Sequence, residues 1–329
     1  MPKAFFFVAP RAVIALALPL LAALPQAARA QDYPVRPVRL IVPFAPGGSA
    51  DVFGRFVAQR LQESLGQSFV VDNRPGGGSI IGTDAVAKAA PDGYTLIMGN
   101  AGSHGINAAV YSKLPYDIQR DFAPVSQVAV APNVMVINPD VPANSVAEFI
   151  AYAKSQPGKL SYASGGNGSS AHMSMELFKA MAGVDLQHVP YKGATPALTD
   201  VIGGQVVAFI GNMPPTVPHI KSGKLRGLAV TTTKRSALMP ELPTIADTLP
   251  GYETVAWFGV LAPAGTPPEV VERLSQEIGR IARSPEMREK LAGMGAEPVG
   301  GTPAEFRAVI DRDIAKWKPL AQKVGIKVD

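Results

Sequence analysis

The 329-residue chain contains no cysteine, which excludes disulfides, thiolate metal sites and a lipid-modified N-terminal cysteine. Histidine is scarce too, and the four histidines form neither an H-E-x-x-H motif nor a close pair in the sequence. The G-x-S-x-G elbow of many hydrolases is absent, and Gly48-Ser49-Ala50-Asp51 does not reproduce it. We therefore predict no metal, no cofactor and no catalytic residue, with a secreted hydrolase as an alternative.

The N-terminal apolar run is too short for a transmembrane helix. Its uninterrupted part, Ala12 to Leu24, falls short of the roughly 20 residues that cross a bilayer. Lys3 and Arg11 flank it, and Ala28-Arg29-Ala30 places small residues where a signal peptidase reads the chain. We predict a signal peptide over residues 1–30, cleaved after Ala30, and a periplasmic mature protein.

Charge is modest once the predicted signal peptide is removed. The chain carries 31 basic and 26 acidic residues, and the leader holds three of the bases and no acid, which leaves +2 for the mature protein. This balance argues against a nucleic-acid partner. Hydrophobic residues make up 47% and charged residues 17%, as expected for a globular protein with a core.

Short apolar runs alternate with helical patterns and glycine-rich corners, which is typical of an α/β protein. The pattern predicts a strand at Val38 to Val42, a helix from Ser49 to about Leu65 that ends at Gly66, and a helix at Val146 to Ser155. Thr195-Pro196 has the N-cap and first-turn proline of another helix start. Further strands are expected at Phe69 to Val71, Tyr94 to Met98, Val134 to Ile137, Leu160 to Ala163, Val206 to Ile210, Gly227 to Thr231 and Trp257 to Ala262.

The most informative segment is the glycine turn Pro43 to Asp51, between the first strand and the first helix. The first N–H groups of a helix have no internal partner, and the helix dipole adds positive charge, so an anion can bind there without a lysine. The turn lacks the lysine and Ser/Thr pair of a phosphate loop and the G-x-G-x-x-G spacing of a dinucleotide site. A small carboxylate is the predicted ligand.

Seven motifs, the glycine turn among them, identify a family resemblance through their order and spacing. With these motifs the chain resembles the Bug (TctC-like) solute-binding proteins of tripartite tricarboxylate transporters over essentially the whole mature sequence. The motifs are Tyr33-Pro34 with Arg36-Pro37, Pro43 to Asp51, Asn73-Arg74-Pro75-Gly76, Pro91-Asp92-Gly93-Tyr94, Leu114-Pro115-Tyr116-Asp117, Val189-Pro190-Tyr191-Lys192-Gly193 and Ala262-Pro263-Ala264-Gly265-Thr266-Pro267.

The resemblance implies a type II-like periplasmic-binding-protein fold, in which each of two lobes is a mixed sheet flanked by helices and the ligand lies between them. We expect residues 31–127 plus 254–329 to form lobe 1 and residues 128–253 to form lobe 2. The expected partners are a small carboxylate and the membrane subunits of a permease, and we expect a monomer. A membrane sensor that reads the loaded protein is the alternative partner.

The loops at the carboxyl ends of the strands should supply the ligand contacts. Backbone amides and hydroxyls are expected to bind the carboxylate, while Phe44 and Ala101 cover the carbon skeleton. Asp51 could instead serve the helix dipole, and Ser49 and Ser169 could be simple caps. The predicted ligand residues are Phe44, Gly47, Gly48, Asp51, Ser79, Asn100, Ala101 and Ser103 in the first lobe and Ser164, Asn167, Gly168, Ser169 and Thr195 in the second.

One departure from the family pattern bears on the ligand. Many relatives place an acid just before the asparagine at a second-lobe strand end, whereas this chain has Gly211 before Asn212. Without an acid to receive an ammonium group, and with Ile106 and Met213 as expected apolar lining, we predict a plain or aromatic carboxylate over an amino acid. Whether His172, Lys192 or Asn212 reaches the ligand stays open at this point.

Overall fold

The computed structural model describes residues 1–4, 33–323 and 326. Apart from its first four residues, the predicted signal peptide lies outside the described part of the chain, as does the cleavage site after Ala30. Within the described part the protein is an α/β protein. Its strands are β1 (Val38–Val42), β2 (Phe69–Asn73), β3 (Thr95–Asn100), β4 (Phe122–Ile137), β5 (Ser161–Ser164), β6 (Gln187–Pro190), β7 (Ala208–Asn212), β8 (Arg226–Val230), β9 (Val255–Pro263) and β10 (Glu297–Pro298).

The helices follow the strands in the alternation that the sequence predicts. Two short helical turns precede helices, a 3₁₀ turn at Gly77–Ser79 and a π-helical turn at Gly102–Ile106. The α-helices are α1 (Ser49–Leu65), α2 (Ile80–Ala87), α3 (Asn107–Val110), α4 (Val146–Ser155), α5 (Ser170–Ala182), α6 (Ala194–Ile202), α7 (Met213–Lys221), α8 (Pro268–Arg283), α9 (Pro285–Ala292) and α10 (Pro303–Lys323).

The strands form two mixed sheets that share the long strand β4. In the first sheet the order is β2-β1-β3-β9-β4-β10, with β1 parallel to both neighbours and the remaining pairs antiparallel. In the second sheet the order is β8-β4-β7-β5-β6, with β5 parallel to both of its neighbours. β4 pairs with β9 up to Pro132 and with β7 from Asn133 onwards. The chain therefore passes from one lobe to the other within a single strand.

Each sheet is covered by helices on both faces, which explains why its central strands are mostly apolar and buried. In the first lobe, α1 and α8 pack on one face through Phe53 and Leu274, and α10 packs on the other through Phe306. In the second lobe, α4 and α5 cover one face through Phe149 and Phe178, and α6 and α7 cover the other. The result is one core on each side of each sheet.

Several predicted elements are confirmed to the residue. β1, α1 and α4 have the predicted bounds, and Gly66 ends α1 in the left-handed region with φ +71°. The predicted strand at Val134 to Ile137 is only the last part of β4. The rest of β4 was not predicted because it contains Pro124 and Pro132, and proline is disfavoured inside a sheet. Pro124 lies at a shift in the pairing register, where the ladder is already interrupted.

The expected helix start at Thr195-Pro196 is only partly right. α6 begins one residue earlier, at Ala194, and its N-cap is Gly193 rather than Thr195. The backbone at Gly193 has φ +149°, which favours glycine, and Ala45 of the first lobe packs against it. Thr195 lies inside the first turn of α6, and its hydroxyl donates a hydrogen bond to the Pro46 carbonyl instead of capping the helix.

Candidate functional site

The first lobe presents the N-terminus of α1 at the carboxyl end of β1. Gly47 has φ +84° and Gly48 is an extended N-cap that, being glycine, supplies no side-chain oxygen. The first N–H groups of the 17-residue helix are therefore left without the cap that serine or aspartate would provide. The turn leaves these donors for an external acceptor.

The second lobe presents two helix starts, one with a side-chain cap and one without. α5 follows β5 through a glycine-rich loop and begins after Ser169, whose side chain accepts a hydrogen bond from the His172 N–H. α6 follows β6 and begins after Gly193, again without a side-chain cap. Because β5 and β6 are parallel neighbours, both helix starts lie at the same end of the sheet.

These helix starts meet at one cavity between the lobes, which we call the helix-end cavity. In the arrangement described it is narrow, with a volume of about 40 Å³. Its wall comes from strand ends and helix starts of both lobes. The residues lining it are Phe44, Gly48, Ser49, Ala50, Asn100, Gly165, Ser169, Ser170, Ala171, Gly193, Ala194, Phe209, Gly211, Asn212 and Phe258.

The helix-end cavity is positive without containing a cation. Among the described residues that line it, no side chain is an acid, a lysine or an arginine. The N-termini of α1, α5 and α6 contribute partial positive charge instead, and α1 and α6 also present N–H groups without a side-chain cap. α7 also starts at the wall, but its second and third residues are Pro214 and Pro215, which have no N–H to offer. The cavity is thus suited to an anion held by neutral donors.

Ser49 supplies the most direct sign of a ligand. The residue is 3% exposed and lines the cavity, and its Oγ has no hydrogen-bond partner among the residues that the structure describes. A buried hydroxyl without a partner costs on the order of 1–3 kcal/mol. A ligand oxygen in the cavity would supply the missing partner.

Asn100 offers a second donor of fixed orientation. The Ser103 N–H donates to Asn100 Oδ1 over 3.0 Å, and the Asn100 N–H donates to Ser103 Oγ, also over 3.0 Å. Because a backbone N–H can only donate, the oxygen of the Asn100 side chain must face Ser103. The Nδ2 group is the part of this side chain that can serve the cavity.

The two lobes are in contact around this site. The Ala45 N–H donates to the carbonyl of Lys192 over 3.0 Å, and Thr195 Oγ1 donates to the carbonyl of Pro46, also over 3.0 Å. A Cβ on Gly47 would lie 2.9 Å from Thr195 Oγ1, so glycine is needed for this approach. The two lobes are therefore hydrogen-bonded to each other beside the site.

A second cavity, which we call the loop cavity, lies beside the first and has a volume of about 380 Å³. Phe44 and Gly165 belong to both walls, so the two cavities adjoin at these residues. Lys192 lines the loop cavity and is exposed. The other residues of its wall are Pro43, Gly76, Gly77, Gly78, Ser79, Ile80, Tyr111, Gly166, Asn167, Pro190 and Tyr191.

The predicted ligand residues divide between these walls and positions behind them. Phe44, Gly48, Asn100 and Ser169 line the helix-end cavity, and Ser79 and Asn167 line the loop cavity. Neither wall contains the other seven, which are Gly47, Asp51, Ala101, Ser103, Ser164, Gly168 and Thr195. Their direct contact with a ligand stays a prediction.

Asp51 is buried among partners of its own lobe. Its carboxylate accepts hydrogen bonds from the Gly47 N–H at 3.0 Å, from Arg55 Nε at 3.1 Å and from Asn73 Nδ2 at 2.9 Å. Burial alone would raise the pKa of Asp51, but these hydrogen bonds outweigh it and lower the pKa below its usual value. The charged carboxylate thus fixes the glycine turn in front of α1.

Ala101 and Ser103 also act from behind the wall. Ala101 is 1% exposed and belongs to an apolar core, and Ser103 is fully buried in the π-helical turn. Ser103 Oγ also lies 2.8 Å from His104 Nδ1. π-helical turns are found often at functional sites, and this one sets the position of Asn100. Ile106, expected to line the ligand site, is buried in the same core, and Met213 is buried in another.

Ser164 and Gly168 are held by a pair of stacked histidines. Ser164 Oγ lies 2.6 Å from His188 Nε2, and the Gly168 N–H donates to His172 Nδ1 over 3.2 Å. The two imidazole rings stack with centroids 4.0 Å apart. Burial lowers the pKa of His172 to about 4 and that of His188 to about 3, so both rings are neutral near pH 7. The pair supports the glycine loop before α5.

Sequence reasoning missed several residues of the wall. Ser49 was interpreted as a possible cap. Gly165, Gly193, Phe209 and Phe258 were not predicted as ligand contacts. Gly211 and Asn212, which the sequence already linked to the ligand while leaving the contact of Asn212 open, end β7 and line the cavity. Phe258 lies opposite Asn100 in the β3–β9 pair, a relationship that depends on a crossover in the sheet.

A metal site and a membrane-spanning helix are both absent from the described ranges. Residues 1–4, 33–323 and 326 contain no group of three or more histidines and acids placed to hold a metal ion. None of the helices in these ranges is both long and apolar enough to cross a membrane.

A family model described as the tripartite tricarboxylate transporter family receptor, TctC, matches residues 53–326 of the chain. The chain belongs to this family. Among curated TctC relatives, protein BugT of Bordetella pertussis is 41% identical over 301 residues, covering 91% of this chain and 92% of BugT. The resemblance given by the sequence motifs is thereby confirmed.

Solved TctC-type structures share the fold over nearly their full length. The structure of R. palustris Rpa4515 with adipate has a TM-score of 0.88 and 44% identity, covering 90% of this chain and 99% of that one. Periplasmic binding protein BugD has a TM-score of 0.86 and 34% identity, with coverage of 90% and 99%. MatC from Rhodopseudomonas palustris with bound malate has a TM-score of 0.84 and 32% identity, with coverage of 87% and 99%. The predicted two-lobed periplasmic-binding-protein fold is confirmed.

Proposed function

We propose that this TctC-family chain captures a small acid by closure of its two lobes and binds the carboxylate group of that acid at the wall of the helix-end cavity. The observation that carries the proposal is the convergence of the α1, α5 and α6 N-termini on one wall without a charged side chain. Ser49 Oγ and Asn100 Nδ2 add side-chain donors from the first lobe. A carboxylate bridging these donors would be bound fully only when the lobes are closed.

The wall favours an acid without an ammonium group. An amino acid would need a carboxylate partner for its ammonium, and the lining offers Gly211 where such an acid would stand. Phe44, Phe209 and Phe258 provide apolar surface for a carbon skeleton instead. Two related structures carry adipate and malate, and neither acid has an ammonium group. We assign a plain or aromatic carboxylate as the ligand class.

The predicted residues behind the wall receive supporting roles in this proposal. Asp51 and Gly47 shape the turn before α1, Ser103 orients Asn100, and Ser164 and Gly168 are held by the histidine pair. Thr195 joins the closed lobes, and Ala101 packs beneath the wall. Ser79 and Asn167 line the loop cavity, where the far end of a longer acid would extend.

The family name supports the remaining parts of the proposal. A receptor of a tripartite tricarboxylate transporter passes its ligand to membrane permease subunits, so we assign delivery rather than sensing. We place the mature protein in the periplasm as a monomer after cleavage following Ala30. The predicted lobes, residues 31–127 plus 254–329 and residues 128–253, stay a prediction, and we place the hinge a few residues after the first predicted boundary, where β4 changes its partner at Pro132/Asn133.

The test uses purified residues 31–329 after unfolding and refolding to remove any retained ligand. Thermal unfolding is followed with adipate, malate, aromatic acids, aspartate and glutamate, because a ligand bound only by the folded state raises the melting temperature. We expect a saturable shift with a plain or aromatic acid and none with the two amino acids. A shift confined to aspartate or glutamate would contradict the ligand class, and no shift with any acid would contradict the function.

Ser49→Ala tests the assigned site directly. The variant removes a hydroxyl that has no hydrogen-bond partner among the described residues, so the melting temperature without ligand should be unchanged or slightly higher. Affinity for the acid should fall about tenfold, the equivalent of about 1.4 kcal/mol. Ser64→Ala, on the same helix and away from the wall, is the control and should bind as the wild type does. Equal affinity of Ser49→Ala and wild type would place the acid elsewhere.

A further inference from the structure

Two chain crossings connect the lobes, and each places a polar residue on the second-lobe side. In β4 the last residue paired with the first sheet is Pro132, opposite Val255, and the next residue is Asn133. The return crossing occurs where Thr254 leads into β9. Asn133 is fully buried and Thr254 is 1% exposed, so both positions lie inside the protein.

Main-chain and hydroxyl bonds of Thr231 join the two crossings. The Thr231 N–H donates to the Asn133 carbonyl over 3.0 Å, and the Asn133 N–H donates to Thr231 Oγ1 over 3.0 Å. The Thr254 N–H donates to the Thr231 carbonyl over 3.0 Å, and Thr231 Oγ1 donates to the Thr254 carbonyl over 2.6 Å. The strands that enter and leave the second lobe are thus one hydrogen-bonded unit.

A chain of side chains extends this unit to the wall of the helix-end cavity. Asn212, which lines the cavity, donates from Nδ2 to Asn133 Oδ1 over 2.6 Å. Asn133 Nδ2 donates to Ser174 Oγ over 3.1 Å, and Ser174 Oγ donates to Thr254 Oγ1 over 2.8 Å. Ser174 belongs to α5, whose first residues also line the cavity. Both second-lobe parts of the wall are therefore tied by side chains to the crossings.

We infer that Asn133, Ser174 and Thr254 are positioning residues that couple occupation of the cavity to the hinge. Rotation of one lobe against the other must be absorbed at Asn133 and Thr254, because the strands change sheet there. The buried polar chain fixes the wall residue Asn212 relative to these points, so a ligand that contacts Asn212 favours one hinge geometry. The inference rests on the proposed function for its ligand and on the strand crossings for its hinge.

The burial of the chain explains why its effect on binding should be large. A hydroxyl or amide in a dry interior is costly when a partner is lost, and neighbouring hydrogen bonds reinforce one another. Removing the Thr254 hydroxyl would deprive the Ser174 hydroxyl of its acceptor. If Ser174 then turns to another acceptor, the Asn133 carboxamide that donates to it would lose its fixed orientation. The wall would then lose its fixed position although no residue that touches the ligand has changed.

Thr254→Val and Thr254→Ser form the central experiment, with Thr266→Val as the matched control. Thr266 is a buried threonine of the first lobe whose hydroxyl donates only to the Pro263 carbonyl among the described residues, at 2.8 Å. Adipate is the ligand used, with malate as the second. We expect Thr254→Val to bind at least tenfold more weakly than wild type, Thr254→Ser to restore binding to within about twofold, and Thr266→Val to bind normally at a similar loss of melting temperature.

A measurement without ligand tests the hinge role on its own. Because the chain has no cysteine, single spin labels can be attached at Gln59→Cys on α1 and Lys154→Cys on α4, both exposed. Distances between the labels should be longer and more broadly distributed in Thr254→Val than in wild type or Thr266→Val. Ser174→Ala removes the same link with a smaller change in volume and should behave alike if the valine variant fails to fold.

The outcomes separate the inference from the proposed function. Failure of wild type to bind either acid would count against the proposed ligand class, while the label distances would still decide the hinge role. Wild-type binding together with unchanged affinity and label distances in both Thr254→Val and Ser174→Ala would overturn the coupling alone. A combined Asn212→Ala and Thr254→Val variant should lose less affinity than the product of the single losses, because both act through one chain.

Discussion

Thr195 Oγ1 donates a hydrogen bond to the main-chain carbonyl of Pro46, 3.0 Å away and 149 residues earlier in the chain. The bond joins the first turn of α6 in one lobe to the glycine turn before α1 in the other. We expect it to break when the lobes move apart. Thr195 is therefore placed to stabilise the closed state whether or not it touches the ligand.

Thr195→Val should weaken binding through closure. A single hydrogen bond contributes about 0.5–1.5 kcal/mol, so dissociation constants should rise about two- to tenfold. The factor should be the same for every acid that binds, which titration calorimetry with two different acids would show. Thr199→Val on the same helix, whose hydroxyl donates to the Thr195 carbonyl, is the control and should leave affinity unchanged. A loss confined to one acid would instead indicate direct contact with the ligand.

Local patterns predicted the elements that depend on local physics. α1 and α4 begin and end as expected because apolar spacing, a glycine stop and a serine cap are all written in neighbouring residues. α7 was missed because Pro214, Pro215 and Pro218 suggest a loop, although two of the three lie at the start of the helix, where a missing N–H costs little. The same local logic thus succeeds with caps and fails with clustered prolines.

The sequence predicted which loops form the site, but not the hydrogen bonds that individual side chains make there. Strand-end position identified Gly48, Asn100 and Ser169, which line the helix-end cavity. The partners of Asp51 could not be inferred, since Asn73 comes from the end of β2 and only Arg55 is a helical neighbour. Which polar side chain is left without a partner depends on every contact around it, so Ser49 could be distinguished only in the folded structure.

Gly48→Asp should block the anion site, because the new side chain would occupy the N–H donors at the start of α1. The Gly48 backbone is extended, with φ −78° and ψ 169°, and a Cβ there would meet only the Ala45 carbonyl oxygen, at 3.8 Å. An aspartate would cap the first N–H groups of α1 and add a negative charge at the helix start. We expect an unchanged or higher melting temperature and at least a tenfold loss of affinity for carboxylates.

The uncharged variant Gly48→Asn separates capping from charge. It should occupy the same donors without repelling the ligand, so its loss of affinity should lie between those of wild type and Gly48→Asp. Thermal unfolding and calorimetry on the same preparations provide both measurements. Wild-type affinity in Gly48→Asp would remove α1 from the binding site.

His172 should make the fold sensitive to acid. Burial lowers the pKa of His172 from 6.5 to about 4, so the unfolded chain binds a proton that the folded protein refuses. Stability is fully present above about pH 6.5 and falls as the pH drops from 6.5 towards 4. At pH 5, proton binding to this histidine in the unfolded chain should lower the free energy of unfolding by on the order of 2 kcal/mol.

His172→Asn keeps an acceptor for the Gly168 N–H but does not titrate. Its melting temperature should fall less than that of wild type between pH 7.5 and pH 5, measured by calorimetry in matched buffers. His219→Asn is the control, because His219 takes no part in the histidine stack. An identical acid slope in His172→Asn and wild type would contradict the assignment.

Asp313 should report its own ionisation through the tryptophans. The chain has two tryptophans, and both indoles donate to this one carboxylate, Trp257 Nε1 at 3.0 Å and Trp317 Nε1 at 2.9 Å. Burial raises the pKa of Asp313 to about 6, and the two indole hydrogen bonds oppose that rise. The folded protein holds the proton more firmly than the unfolded chain, so this group lowers stability as the pH rises from about 4 through 6.

Intrinsic fluorescence should change with a midpoint near pH 6 in wild type and lose that transition in Asp313→Asn, whereas Asp311→Asn on the same helix should keep it. A flat wild-type titration, or the same transition in Asp313→Asn, would show that the carboxylate ionises outside this range.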